Sequence, residues 1–265
     1  MRKGFLAVAS LLLAGSVSLP ALAEDDILTD APEIEISDSP EGGWYVRADL
    51  GYAPWIREGD PYSVDTGTGA RTSFDESRFS KPFSGGIGFG HQFNDMFRAD
   101  LTADFSRGDF DGTSFGAAPC AATEPAGTSC RYGHAGSYRS MALMANGYVD
   151  FATFAGFTPY LGVGVGATRV HWNDMSISAT CVAGGAACVV DDHGSSAASG
   201  ESSWRFTYAL SAGASYEFQN GMKLDVGYRF TDVAGGDMFS SADANGRDDG
   251  FQRHEFRVGL RLSIW

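Results

Sequence analysis

Long apolar runs and positive charge are both scarce in this 265-residue sequence. The apolar stretch at Phe5–Leu13 is well short of the ~18 residues that a membrane-spanning helix needs, and no other segment approaches that length. Basic side chains number 19 against 33 acidic ones, a formal charge of −14. A chain this acidic lacks the basic surface that nucleic-acid binding requires, which excludes nucleic acid as a partner.

The first 23 residues carry the marks of an export signal. Arg2 and Lys3 are positive, the apolar run follows, and Ala21-Leu22-Ala23 has the small-x-small pattern of a cleavage site. We therefore predict a cleaved signal peptide over residues 1–23. Its removal leaves 17 basic and 33 acidic side chains, a formal charge of −16.

The next segment, residues 24–42, is acidic, contains two prolines and has no sustained hydrophobic period. Such composition favours a flexible segment, here in the periplasm, leading into a domain over residues 43–265.

Cysteine is also scarce, with four residues in the chain. They form two short-range pairs, Cys120 with Cys130 and Cys181 with Cys188. An even count in an exported chain indicates disulfides, and two local bridges are the simplest of the three possible connectivities. The sequence has no Cys-x-x-Cys or His-x₃-His spacing to support a zinc site, so we expect no metal and no cofactor.

Strict alternation of apolar and polar residues is the strongest pattern in the chain. It is clearest in Trp204–Phe218, where the apolar face carries aromatic residues at both ends. This is typical of a strand that crosses a bilayer, because aromatic rings favour both membrane interfaces. Similar runs predict eight strands, at Trp44–Trp55, Phe83–Phe93, Phe97–Ser106, Tyr138–Phe151, Tyr160–Arg169, Trp204–Phe218, Lys223–Thr231 and Arg253–Ile264.

The connections between these strands alternate in length. Short ones fall at 94–96, 152–158 and 219–222, and long polar ones at 56–82, 107–137, 170–203 and 232–252. This alternation predicts an all-β fold, an eight-stranded antiparallel up-and-down transmembrane β-barrel with short periplasmic turns and long extracellular loops. A soluble barrel that binds a ligand inside is the alternative. We favour the membrane barrel, because small and charged residues repeatedly share one face and eight strands enclose little space.

The chain resembles the small outer-membrane β-barrels of alphaproteobacteria, which are porin-family surface antigens with an OmpA-like barrel. The matching segments are Gly43–Ala48, Ala145–Phe151 and Thr158–Gly166, and the likeness covers residues 43–265. The resemblance implies location in the Gram-negative outer membrane, contact with its lipid and lipopolysaccharide, and recognition of the last strand by the barrel-assembly machinery. Trp265 departs from the pattern, because the apolar face of that strand falls on Leu260, Leu262 and Ile264.

Charged residues on the predicted inner face form a candidate network inside the barrel. Its members are Arg47, Asp49, Arg98, Asp100, Asp104, Glu217, Asp225, Arg229, Arg253, Glu255, Arg257 and Arg261. Two interpretations are open, a narrow ion pathway or a salt-bridged plug, and the small strand number favours the plug.

Candidate catalytic groups are few. Ser195 and Ser196 lie beside His193, but in a run of glycine, alanine and serine that we interpret as a flexible loop. We therefore predict a non-enzymatic surface protein whose loops serve envelope integrity, adhesion or host contact. A low-conductance channel for small solutes is the alternative, and an envelope lipid-modifying enzyme is a third, less favoured possibility.

Overall fold

The computed structural model describes residues 42–58, 61–80, 82–116, 118–219, 221–242 and 244–264. The predicted signal peptide, residues 24–41 of the acidic segment and Trp265 lie outside these ranges. No helix within them has the length and apolar character of a membrane span.

The described residues contain thirteen β-strands. They are β1 Gly43–Glu58, β2 Tyr62–Asp65, β3 Arg71–Ser73, β4 Glu76–Phe79, β5 Phe83–Gln92, β6 Phe97–Gly116, β7 Ser129–Asp150, β8 Phe157–Trp172, β9 Met175–Val182, β10 Asp192–Gly200, β11 Ser202–Gln219, β12 Met222–Ser240 and β13 Ala244–Ser263. Each of the eight predicted strands overlaps one of these, namely β1, β5, β6, β7, β8, β11, β12 and β13.

These eight strands close into an antiparallel ring. Each pairs with the next in chain order, from β1–β5 through β12–β13, and β13 then pairs with β1. Tyr45 opposite Ser263 lies near one end of the closing seam. The predicted fold class is confirmed. Closure leaves no unpaired edge among the eight strands, which is what a sheet needs in lipid.

The barrel strands are longer than a bilayer requires, and they continue beyond it at one end of the barrel. β7 has 22 residues, which at ~3.3 Å per residue is about 70 Å, whereas the hydrocarbon core is about 30 Å thick. The excess lies at the end with the long connections, the extension end. The opposite end carries the short turns and is called the turn end.

The long connections differ from the predicted loops, because much of their length is paired strand. β9 extends the line of β8 and pairs with β7, while β10 pairs with β9 and leads into β11. The first connection contributes β2, which pairs with β13 and with β3, and β4, which pairs with β6. The interpretation of the serine-rich run around Ser195 and Ser196 as a flexible loop is wrong, since both lie in β10.

An apolar belt covers the outside of the barrel between its two ends. Leu50 is 73% exposed and Leu101 66% exposed, values that would be costly for leucines in water. Aromatic side chains border the belt, with Trp44 stacked on Phe89 towards the turn end and Trp204 exposed towards the extension end. The alternation seen in the sequence therefore gives a lipid face.

The inner face holds glycines where large side chains approach. A Cβ built on Gly162 would overlap the ring of Tyr148, and one built on Gly164 would overlap Asn146. The glycine-rich side of β8 thus leaves space for side chains from β7 to fill the interior.

Candidate functional site

The barrel interior at membrane level contains equal numbers of buried cations and anions. The six arginines are Arg47, Arg98, Arg229, Arg253, Arg257 and Arg261, and the six carboxylates are Asp49, Asp100, Asp104, Asp150, Asp225 and Glu255. Eleven of the twelve residues predicted for the network belong to this set. Balanced charge of this kind is what a dry, narrow interior tolerates, because each buried ion needs a partner.

The middle of the interior is organised around Arg47. Its guanidinium makes a two-point contact with Asp49, at 2.9 Å from Nε and 2.7 Å from Nη2, and donates from Nη1 to Asp100 at 2.8 Å. Asp100 also accepts from Tyr45 at 3.1 Å and from Asn146 at 2.8 Å. Residues from β1, β6 and β7 are therefore joined across the lumen.

Towards the extension end, Asp104 lies between two arginines. Arg257 contacts Oδ1 of Asp104 at 2.5 Å, and Arg229 contacts Oδ2 at 3.0 Å. Glu255 pairs with Arg253 at 3.0 Å and accepts from Ser84 at 2.8 Å. Strands on opposite sides of the ring are joined by these contacts.

Towards the turn end, Arg98 combines an ion pair with aromatic contacts. Its Nε lies 3.0 Å from Asp150. Within the described structure its two terminal nitrogens have no hydrogen-bond acceptor, but the guanidinium lies 3.9 Å from the ring centroid of Tyr148 and 4.9 Å from that of Tyr160. Cation–π attraction therefore replaces the missing hydrogen bonds in part.

Four residues show where the sequence-based network was incomplete or wrong. Glu217 does not join it, because its side chain is 43% exposed at the turn end and pairs with Lys223 at 3.2 Å. Asp150 was left out although the period placed it on the inner face. The buried pair of Arg205 with Asp248, at 2.7 Å, was also missed, because Asp248 fell within a predicted loop.

The middle of the described interior is tightly filled, whereas a cavity of about 600 Å³ opens at the turn end beside Tyr45, Asp150 and Arg261. The cavity beside Arg47, Tyr148 and Arg229 measures about 20 Å³, room for about one water molecule. Above it, at the extension end, the inward side chains become apolar and form a buried cluster, the extension core. Its members are Phe110, Tyr138, Val170, Trp172, Met175, Ala198, Met238 and Phe239. The described interior is therefore filled by ion pairs at membrane level and by hydrocarbon above.

Two disulfides fasten the far end of the extension. Cys120 is bonded to Cys130, and Cys181 is bonded to Cys188. Cys130 and Cys181 are also register partners between β7 and β9, so the two bridges lie side by side. Because both cysteines near Glu124 are oxidised, they offer no thiolate to a metal.

Glu124 holds the tip connection between β9 and β10. Its carboxylate accepts from the backbone N–H groups of Val189 and Val190, both at 2.8 Å, and lies 3.1 Å from His193. The hydrogen bond from Val189, then that from Val190 and the contact with His193, hold the pKa of Glu124 below its usual range. His193 contacts this carboxylate, and none of its described hydrogen bonds involves Ser195 or Ser196, so no nucleophile–base pair forms there.

His134, assigned from sequence to a loop, lies in β7. Its ring packs against Phe74 and Phe239 at the edge of the extension core. Burial lowers its pKa to about 4, so the ring is neutral at neutral pH. Its Nε2 also lies 3.3 Å from Oγ of Ser114, so the described contacts of His134 are ring packing and one hydrogen bond.

A closed antiparallel ring with an apolar exterior and ion pairs inside defines a transmembrane β-barrel. Residues 9–263 match the family described as outer membrane protein beta-barrel domain, and the chain belongs to that family. The protein is thus an outer-membrane β-barrel, with the turn end towards the periplasm and the extension end outside.

Comparison with individual proteins gives relatives that match over most of both chains. The chain is 31% identical to an uncharacterized protein of Brucella abortus, over 100% of both chains. It is 26% identical to a putative adhesin of Rickettsia bellii, over 87% of this chain and 92% of the other. Among solved structures, OprG of Pseudomonas aeruginosa is similar at 14% identity and a TM-score of 0.48, covering 84% of this chain and 98% of that one.

Proposed function

We propose that this protein is a non-enzymatic surface protein, in which the filled barrel is an anchor and the extension is the working part. The observation that carries the proposal is the contrast between the two regions. The interior at membrane level is occupied by paired charges, whereas the extension has its own core and two disulfides. The extension would contact host molecules, other cells or neighbouring parts of the envelope.

The tip of the extension supports a contact role. Val189 is 66% exposed and Val190 45% exposed, although Glu124 fixes the backbone of both. Exposed apolar side chains on a rigid backbone bind partners at low entropic cost. The name putative adhesin, given to the Rickettsia bellii relative, agrees with this role.

A channel is the second candidate, and the geometry weighs against it. A conducting path would have to pass the Arg47–Asp100 and Asp104–Arg257 contacts and then the extension core. Opening it would separate several buried ion pairs at once, and separating even one leaves an uncompensated charge at a cost of about 3–5 kcal/mol.

Adherence of whole cells tests the proposal. The protein is expressed in a non-adherent Gram-negative strain, and binding to cultured epithelial cells and to immobilised matrix proteins is counted. We expect adherence above a vector control and a clear loss in Val189→Ser/Val190→Ser. The matched control, Phe154→Ser, removes an exposed apolar side chain at the turn end and should leave adherence unchanged.

Heat-modifiable gel migration must show folded barrel for every variant in outer-membrane fractions. Folded protein at the surface without adherence to either target would contradict the adhesive role. Equal loss in the tip and turn-end variants would contradict the assignment of contact to the tip.

A further inference from the structure

Four basic side chains gather on the outer face of the barrel, at the boundary between the apolar belt and the extension. Arg107 of β6 is the register partner of Arg139 of β7, which is in turn opposite His171 of β8. Arg169 of β8 lies diagonally below Arg139, opposite Met141. Together they line a surface groove of about 740 Å³, here called the basic groove.

The three arginines of the basic groove are exposed and have no anionic partner among the residues that the structure describes. The ion pairs in the described part of the chain use other arginines. Asp109, the next outward side chain on β6, lies beyond 4.0 Å from the Arg107 guanidinium, and His171 shares a hydrogen bond with the neutral hydroxyl of Ser202, at 2.6 Å. The arginines inside the barrel, by contrast, all have carboxylate partners.

Direct opposition of two arginines is unfavourable without an anion. Cross-strand partners have Cβ atoms about 5 Å apart, and diagonal neighbours are separated by roughly 7–8 Å. Arg107 faces Arg139 in this way, and Arg169 is the diagonal neighbour of Arg139. Like charges so placed repel each other, and an anion bound between them converts repulsion into attraction.

The position of the basic groove along the membrane normal indicates the source of the anion. Phe105 precedes Arg107 by two residues on the same face and is 50% exposed, and Trp204, opposite Arg169, is 55% exposed. Aromatic rings at the end of the apolar belt mark the membrane interface, so the guanidinium groups just beyond lie among the lipid headgroups. Because the extension end faces outward, these are headgroups of the outer leaflet.

We propose that the basic groove is a binding site for the phosphorylated headgroup of lipid A, the membrane anchor of lipopolysaccharide. Arg107, Arg139 and Arg169 bind phosphate oxygens through paired N–H donors, and an acyl chain lies along Phe105 and Met141 in the apolar part of the groove. This site is independent of the adhesive role proposed for the tip.

Native mass spectrometry of the full-length protein, released from detergent micelles, tests the proposal. The probe is purified bisphosphorylated lipid A, titrated into the micelles, and the measured quantity is the fraction of protein that retains one lipid. We expect a one-to-one complex with the bisphosphorylated lipid and little with enzymatically dephosphorylated lipid A. Arg107→Gln/Arg139→Gln/Arg169→Gln should weaken binding roughly tenfold, the sum of three exposed ionic contacts.

The matched control is Arg57→Gln/Arg78→Gln/Arg131→Gln, which removes the same charge from exposed positions outside the basic groove. It should bind lipid A as the unmodified protein does. The single variant Arg139→Gln, weaker by roughly threefold, serves if the triple variant fails the gel-migration test of folding. Equal weakening by the control triple, or equal retention of the dephosphorylated lipid, would overturn the proposal.

Discussion

Replacing Asp104 by asparagine removes one negative charge from the middle of the charge-balanced interior. Asp104 contacts Arg257 at 2.5 Å and Arg229 at 3.0 Å, and its side chain is buried. Arg257 keeps longer contacts with Glu255 at 3.5 Å and Asp49 at 3.7 Å, whereas among the described residues Arg229 keeps a hydrogen bond to Asn146 at 3.5 Å and no carboxylate. The substitution therefore leaves a surplus positive charge near Arg229.

The expected cost follows from that surplus charge. Removing one partner of a buried ion pair typically destabilises a protein by about 3–5 kcal/mol. Asparagine keeps one oxygen that accepts a hydrogen bond, so we expect a value near the lower limit, about 3 kcal/mol. The exposed pair of Asp249 with Arg71, at 3.1 Å, gives a matched control, and Asp249→Asn should cost about 0–1 kcal/mol.

Guanidinium unfolding in detergent micelles, followed by tryptophan fluorescence, measures both variants against the parent protein. A double variant, Asp104→Asn/Arg229→Gln, separates lost attraction from surplus charge. Because it removes the unpaired cation, it should be less destabilised than the sum of the two single variants, by about 0.5–3 kcal/mol. If Asp104→Asn unfolds at the same guanidinium concentration as Asp249→Asn, the interior is hydrated and the barrel is not filled by desolvated ion pairs.

Three further outcomes are expected. Planar bilayers holding the folded protein should show no reproducible discrete conductance, because the interior is filled; a steady conductance step would favour the channel instead. Since burial lowers the pKa of His134 from 6.5 to about 4, the unfolded extension binds more protons between those values. The hydrogen-exchange protection factors in the extension core, which are corrected for the intrinsic pH dependence of exchange, should therefore fall as the pH falls through that window, and His134→Phe should remove the dependence. The lowered pKa of Glu124 stabilises the tip above the usual glutamate range and the effect is lost at lower pH. Glu124→Gln should accordingly speed exchange of the Val189 amide at neutral pH and change little in acid; a uniform effect at both would contradict the assigned role.

The eight barrel strands were predictable because lipid and lumen impose an alternation that is visible within each strand. Trp204–Phe218 shows it without reference to any other part of the chain. The partners across the lumen were not predictable, since Asp104 meets Arg229 and Arg257, residues 125 and 153 positions away. Such contacts depend on strand register and ring closure, which no single strand encodes.

The strands of the extension were not predicted, because their surroundings differ from those of the membrane-spanning strands. β10 reads DHGSSAASG, with small and polar residues on both faces and no lipid to demand alternation. It is a strand because it pairs with β9, which itself continues along β7. The prediction for Glu217 was wrong for a related reason. The alternation of apolar and polar residues assigns a side chain to the inner or outer face, but it does not show where along the strand the barrel ends and water begins.

The continuity of β6 and β7 through the membrane and into the extension determines how the protein bears load. Twenty register pairs join these two strands, from Phe97 with Val149 to Gly116 with Cys130. Interstrand hydrogen bonds lie perpendicular to the strands, so a partner pulling the tip away from the cell would strain them in shear, all together, rather than one after another. The extension would therefore resist tension as a continuation of the barrel wall.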